Sequence, residues 1–294
     1  MPAFPYYSLD GVPLDDPAGR WFIDGGTFEL PPLAAARTVD VTVPGRHGIL
    51  PVAGLELEPV TVGASLVITD TTPAGASGGV SQLHANYEAV KALIGRRHRH
   101  AVLGYHMDAD TVRVADAILT SGATPEVVSQ RVLRLPVLWQ IPTVFWRDPA
   151  PAVWGRLLHL LATPTHVDTL AGATAPIIDA LLRITGPATD PWLSDAATGG
   201  RIAYDGTLTA WQSLLIDCGR MRAALVTDDA WNVDDGQDVT GRVEATGPGS
   251  GSRWLHLTPE PIPGDPTARR VTITAGAASA SGALVEIKAR RAYL

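Results

Sequence analysis

Apolar residues recur at every second position in short segments, and this limits what the chain can build more than any other feature. Val39, Val41 and Val43 share one face of an extended segment, as do Val112 and Val114, because successive strand side chains point to opposite faces. The segments are short because 29 Gly and 24 Pro interrupt them, and only 18% of the residues are charged. That balance favours many short strands and turns over long charged helices. Leu66-Val67-Ile68 and the run from Leu135 to Trp139 are denser and predict strands covered on both faces.

One segment carries a helical period. From Ser81, read as the N-cap, Leu83, Tyr87, Val90 and Ile94 recur at spacings of three and four, ending at Gly95 and the Arg96-Arg97 pair, a basic end suited to a helix C-terminus. At Trp146 to Pro151 an apolar run ends, two prolines follow and periodicity stops. This divides the 294 residues into domains 1–149 and 150–294, each of ordinary domain size. The second half predicts strands at Leu181 to Ile184, Arg201 to Tyr204, Leu214 to Cys218, Trp254 to Leu257, Val271 to Thr274 and Leu284 to Leu294, the pattern of a β-sandwich. Leu157 to Ala162 fits a helix or a strand. The fold class expected is mainly β with one helix.

A net charge of -7 without basic runs interleaved with aromatics disfavours phosphate-backbone binding. The same acidity suits an ordinary surface or a channel through which DNA slides without sticking. Met1 to Tyr7 lack the basic start and apolar run of a signal peptide, and no stretch reaches membrane-spanning length, so folding in a cytoplasm without membrane insertion is expected. Cys218 is the only cysteine, which excludes an internal disulfide and a cysteine-based zinc cluster.

Several constellations could carry chemistry, and each lacks a required partner. Gly75-Ala76-Ser77-Gly78-Gly79 matches the nucleophile-elbow pattern, but the strand-rich second half does not supply the β/α scaffold on which an acid and a histidine would sit. His98, His100, His106, Asp108 and Asp110 are dense, yet they lack a metal-site spacing and adjoin Arg96, Arg97 and Arg99. Asp228, Asp229, Asp234, Asp235 and Asp238 do not follow the calcium-loop alternation. Cys218 lies in an apolar run and reads as a core residue. Trp139, Trp146, Trp192, Trp211 and Trp254 read as core or interface residues. A non-enzymatic protein without metal or cofactor is expected.

Three ordered segments resemble the distal tail and tail-component family of long-tailed phages. The first is Val43-Pro44-Gly45-Arg46-His47-Gly48. The second runs from Ala175-Pro176 through Leu182-Arg183-Ile184-Thr185-Gly186, Asp190-Pro191-Trp192-Leu193, Thr198-Gly199 and Ile202-Ala203-Tyr204 to Leu215-Ile216-Asp217-Cys218. The third is Trp254 to Pro259, with the terminal strand Lys288 to Leu294. Pro44, Gly45 and Gly48 suit a tight hairpin that projects Arg46, and Asp190-Pro191 and Thr198-Gly199 punctuate strands. The stretch Ala230 to Gly251 is longer and more acidic than the family pattern and reads as a surface insertion facing a neighbour.

The resemblance implies an N-terminal ring-forming sandwich or barrel, related to tail-tube folds, followed by a galectin-like β-sandwich. It implies a hexameric virion ring at the tail tip, assembled in the host cytoplasm, between tail-tube protein and hub or baseplate protein, with tape-measure and receptor-binding proteins as further partners. DNA would pass the lumen without specific binding. Arg46, Arg96, Arg97 and Arg99 are the residues expected to form cross-subunit ion pairs. Three other readings stay open: a carbohydrate-binding adhesin acting through the C-terminal sandwich, a hydrolase acting through Ser77, and another minor tail or hub component.

Overall fold

Strands Val60–Thr69 and Val132–Ile141 pair antiparallel along their whole length, from Val132 opposite Thr69 to Ile141 opposite Val60. Both alternate buried and more exposed residues. The dense runs expected to be covered on both faces therefore have one open face: Leu135, Val137 and Trp139 are buried while Leu138 is 40% exposed. An antiparallel sheet tolerates this because only one face need pack on a core. The computed structural model describes residues 4–37, 47, 56–95, 99–120, 124–227 and 229–294.

Two compact units divide the described residues, one reaching to Pro149 and the other formed by Ala150–Tyr293. In the first, an antiparallel sheet runs in the order Val12–Pro13, Tyr6–Leu9, Ala101–His106, Val112–Leu119, Val132–Ile141, Val60–Thr69, Trp21–Ile23. Its core holds Leu66, Ile68, Leu103, Leu135 and Trp139, with Tyr7 packed against Phe28, Tyr105 and Trp146. The one α-helix among the described residues, Gly79–Ile94, buries Leu83, Val90 and Ile94 of the predicted stripe together with Leu93, while Tyr87 of that stripe is only half-buried. Asn86 is buried with them; its amide donates to the carbonyls of Thr69 and Thr71, each at 2.8 Å, which ties the helix to the strand end.

The helix starts earlier than expected. Gly78, not Ser81, is the N-cap, and it supplies no side-chain cap. Asp70 takes over that role from the end of its strand, accepting from the Gly79 N–H at 3.2 Å and the Ser77 hydroxyl at 2.6 Å. A carboxylate at the first turn satisfies an otherwise orphan donor and suits the positive end of the helix dipole.

The second unit contains a six-stranded sheet, ordered Ala152–Leu157, Leu284–Ala289, Leu181–Thr185, Ser213–Asp217, Arg222–Val226, Gln237–Asp238, and a five-stranded sheet, ordered Thr165–His166, Thr272–Gly276, Trp192–Asp195, Arg201–Tyr204, Val243–Thr246. Leu182, Ile184, Leu214, Ile216, Val285 and Ile287 of the first sheet and Leu193, Ile202, Tyr204 and Ile273 of the second are fully or almost fully buried, as in a two-sheet sandwich. Trp254 to Leu257, expected as a strand, contributes only a single bridge, Leu257 to Ile177. Leu157 to Ala162 splits: a strand ends at Leu157 and a short 3-10 helix covers Leu158–Leu161.

Candidate functional site

The expected turn residues of the second unit sit at the two ends of one strand pair, Trp192–Asp195 with Arg201–Tyr204. Asp195, at the end of Trp192–Asp195, is fully buried; its carboxylate accepts from Thr198 N at 3.2 Å, Thr198 Oγ1 at 2.8 Å and Thr258 N at 3.2 Å. Burial pushes the Asp195 carboxyl above its ordinary range, against the pull of those bonds. Gly199 follows with φ +71°, a conformation that favours glycine. Asp190 and Gly206 exchange bonds of 2.8 and 3.0 Å, and Pro191 O accepts from Tyr204 N at 2.9 Å. Both motifs thus set the Trp192–Asp195 and Arg201–Tyr204 pair. Pro44, Gly45, Arg46, Gly48, Arg96 and Arg97 lie outside the described residues. Arg99 is engaged by Asp10 of its own chain through contacts of 2.9 and 3.1 Å.

The catalytic leads resolve into structural contacts. Ser77 donates to Asp70, and this bond, with the Gly79 N–H and the charge of Arg131, holds the Asp70 carboxyl below its ordinary range. A nucleophilic serine needs a base able to take its proton, and a carboxylate held so acidic is a weak one. His106 stacks on Tyr6 at 4.2 Å, and its Nε2 lies 2.9 Å from Ser8 Oγ. That hydroxyl–imidazole pair is invisible in the sequence because its members stand 98 positions apart. Ser8 is only 4% exposed, so a substrate cannot reach it. Asp108 accepts from the N–H groups of Asp110 and Thr111 at 2.9 and 2.7 Å, which closes the hairpin turn. Cys218 is buried, and burial pushes its thiol well above the ordinary value.

The acidic segment is neutralised within its own unit. Asp234 pairs with Arg220, at 2.9 Å, and with Arg222, and Asn232 donates to Asp235 at 2.8 Å. Val233 packs on Leu215, Ala224 and Val226, with Trp231 against the same cluster. Arg183 lies beneath Trp231 at 4.4 Å and binds Glu286 at 2.7 Å. In register, Glu286, Arg183, Leu215 and Ala224 form one cross-strand row. The start of the segment expected to face a neighbour, at Trp231 and Val233, thus roofs the outer face of the six-stranded sheet, while Val243–Thr246 pairs with Arg201–Tyr204 in the five-stranded one.

Two surface features remain. In the first unit, strand Glu126–Ser129 is exposed throughout and pairs only with Val132–Ile141 among the described residues. Val127 is 72% and Val128 53% exposed, so this edge strand is apolar on both faces; such an edge invites pairing with another chain. The sequence signal was two adjacent valines between turns. In the second unit a cavity of about 180 Å³ is lined in part by Arg201, Arg253, Trp254, Thr246 and Ser250. Of the tryptophans read as core or interface, Trp139 and Trp146 are buried, whereas Trp211 is 86% exposed.

No protein-family model matches the chain, and no curated protein matches it in sequence. Among solved structures, it is similar to the Dit protein of phage SPP1, described as a paradigm of the hub adsorption apparatus in phages infecting Gram-positive bacteria. That alignment has a TM-score of 0.54 at 14% identity and covers 98% of this chain and 99% of that one. Chains of the phage p2 baseplate in its activated conformation align more weakly. With Sr the TM-score is 0.39 at 11% identity, covering 97% of this chain and 98% of that one. With Ca it is 0.41 at 9% identity, covering 98% of each. The mainly β, Dit-like fold implied by the ordered motifs is the fold the chain has.

Proposed function

We propose that this protein is a structural, non-enzymatic component of a long-tailed phage tail tip. The observation that carries the reading is the fold likeness to a phage hub protein along nearly the whole of both chains. In this reading residues 1–149 form a ring, probed below as a hexamer, and residues 150–294 form a galectin-like sandwich facing the adhesion machinery. The ring would join tail-tube protein to hub or baseplate protein, with tape-measure and receptor-binding proteins nearby and DNA crossing the lumen unbound. The bare, two-sided apolar strand Glu126–Ser129 supports assembly, since a neighbouring subunit would cover it. Arg46, Arg96, Arg97 and Arg99 are the basic residues proposed at the subunit contact.

Native mass measurement and electron microscopy of the purified chain test this. Sixfold rings of 31.0 kDa subunits are expected, and Arg46→Glu should yield folded protein that no longer closes rings. A protein that stays monomeric even when mixed with tail-tube and hub proteins of the same virion would overturn the assignment.

A further inference from the structure

The cavity of the second unit is a built pocket. Its wall is the segment Gly247 to Arg253, closed on itself by bonds from Ser250 N to Gly247 O at 3.2 Å and from Arg253 N to Gly249 O at 3.2 Å. The Arg253 guanidinium lies along this loop, donating to Pro248 O at 3.2 Å. A Cβ at Gly249 would come within 2.6 Å of Arg253 Nε, and Gly249 has φ +76°, so only glycine lets the guanidinium settle there. Arg201, also in the lining, has its guanidinium held over the Trp192 ring at 4.3 Å. Neither arginine has a carboxylate partner among the described residues. Two arginines without a carboxylate partner among the described residues, both in the lining of one small cavity of a chain of net charge -7, make it a local anion-attracting site.

The remaining lining narrows the ligand. Trp254 and Pro176 supply apolar surface, and Thr246 and Ser250 supply hydroxyls. A bare inorganic anion would leave the apolar walls against water, whereas the C–H face of a sugar ring covers them while its hydroxyls meet the threonine and serine. The volume of about 180 Å³ equals roughly six water molecules, the scale of a single monosaccharide. His256, also in the lining, is pushed down to about 4 by burial and by the charge of Arg253, so its ring is neutral near pH 7 and hydrogen-bonds without adding charge. Asp195, behind Thr198 and Thr258, is fully buried, and its oxygens are occupied by bonds from those residues.

We infer that this pocket binds one acidic saccharide unit, a sugar bearing a carboxylate or phosphate, with the anion on Arg201 and Arg253 and the ring against Trp254. The inference goes beyond the ring assignment and does not depend on it. The test is calorimetric titration of the full chain with glucuronic acid, glucose 6-phosphate, glucose and inorganic phosphate. At least one acidic sugar should bind, with glucose and phosphate each at least about tenfold weaker, the loss of one charge-assisted contact or of the ring contacts. Arg253→Ala should weaken binding by at least about tenfold without altering ring assembly. Thr246→Trp, at an exposed position, should block binding by filling the cavity and keeps the test open if Arg253→Ala fails to fold. No binding of either acidic sugar at millimolar concentration, equal binding of inorganic phosphate, or binding unchanged in Thr246→Trp would overturn it.

Discussion

The outer face of the second unit's six-stranded sheet and the edge of the first unit's sheet begin with the same difficulty and end differently. The row Glu286, Arg183, Leu215 and Ala224 is roofed by Trp231 and Val233. Its one buried cation is paired, and the carboxylates of the roof meet Arg220 and Arg222. Val127 and Val128, by contrast, stand 72% and 53% exposed on a strand with no second neighbour among the described residues. One surface is completed by its own chain and is a matter of stability. The other is left incomplete, and on the proposed reading a second subunit completes it.

That contrast can be broken by substitution, starting with the roof. Arg183→Ala leaves Glu286 half-buried without its partner, and denaturant unfolding should register a loss of about 3 kcal/mol; a loss below about 1 kcal/mol would mean that the pair is solvated. Trp231→Ala removes the roof's aromatic contact with Arg183 and should cost about 2 kcal/mol in the same measurement. His256 gives an acid signature. Its folded pKa, about 4, lies below the ordinary 6.5, so the unfolded chain binds the extra proton. The stability it contributes is complete above about pH 6.5, is lost as pH falls towards about 4, and amounts to about 1–2 kcal/mol once the partial exposure of the ring is discounted. His256→Gln should flatten that part of the stability–pH curve. The bare strand should show the smallest effect on stability: Val127→Lys with Val128→Lys should shift unfolding by about 0.5 kcal/mol or less. The same pair should abolish self-association in native mass spectra. A large destabilisation would instead place these valines in the chain's own core.

Much of the fold was legible because burial imposes periodicity. The helix stripe Leu83, Val90 and Ile94, the strands at Leu181 to Ile184 and Arg201 to Tyr204, and the turns at Asp190-Pro191 and Thr198-Gly199 follow from local spacing and turn chemistry. The helix start did not follow, since Asp70 caps it from another element and a serine at position 81 looks locally like a better cap. Trp254 to Leu257 has the alternation of a strand but makes one bridge, because the residues beside it in space decide whether a ladder can form. The pocket was illegible for a related reason. Arg201 and Arg253 come together only when the Gly247 to Arg253 loop folds across the sheet end.

By itself, then, the sequence determined that the chain is mainly β, built of short strands and turns with one long amphipathic helix. These properties rest on period, composition and local turn preference, which act between residues close in the chain. The tertiary structure alone decided which charges are satisfied and which surfaces stay open. Arg183 meets Glu286 across 103 positions, Ser8 meets His106 across 98, and Trp231 and Val233 turn inward over the sheet beside them. Such pairings depend on strand register and on the path of loops through space, and no local rule of sequence contains either.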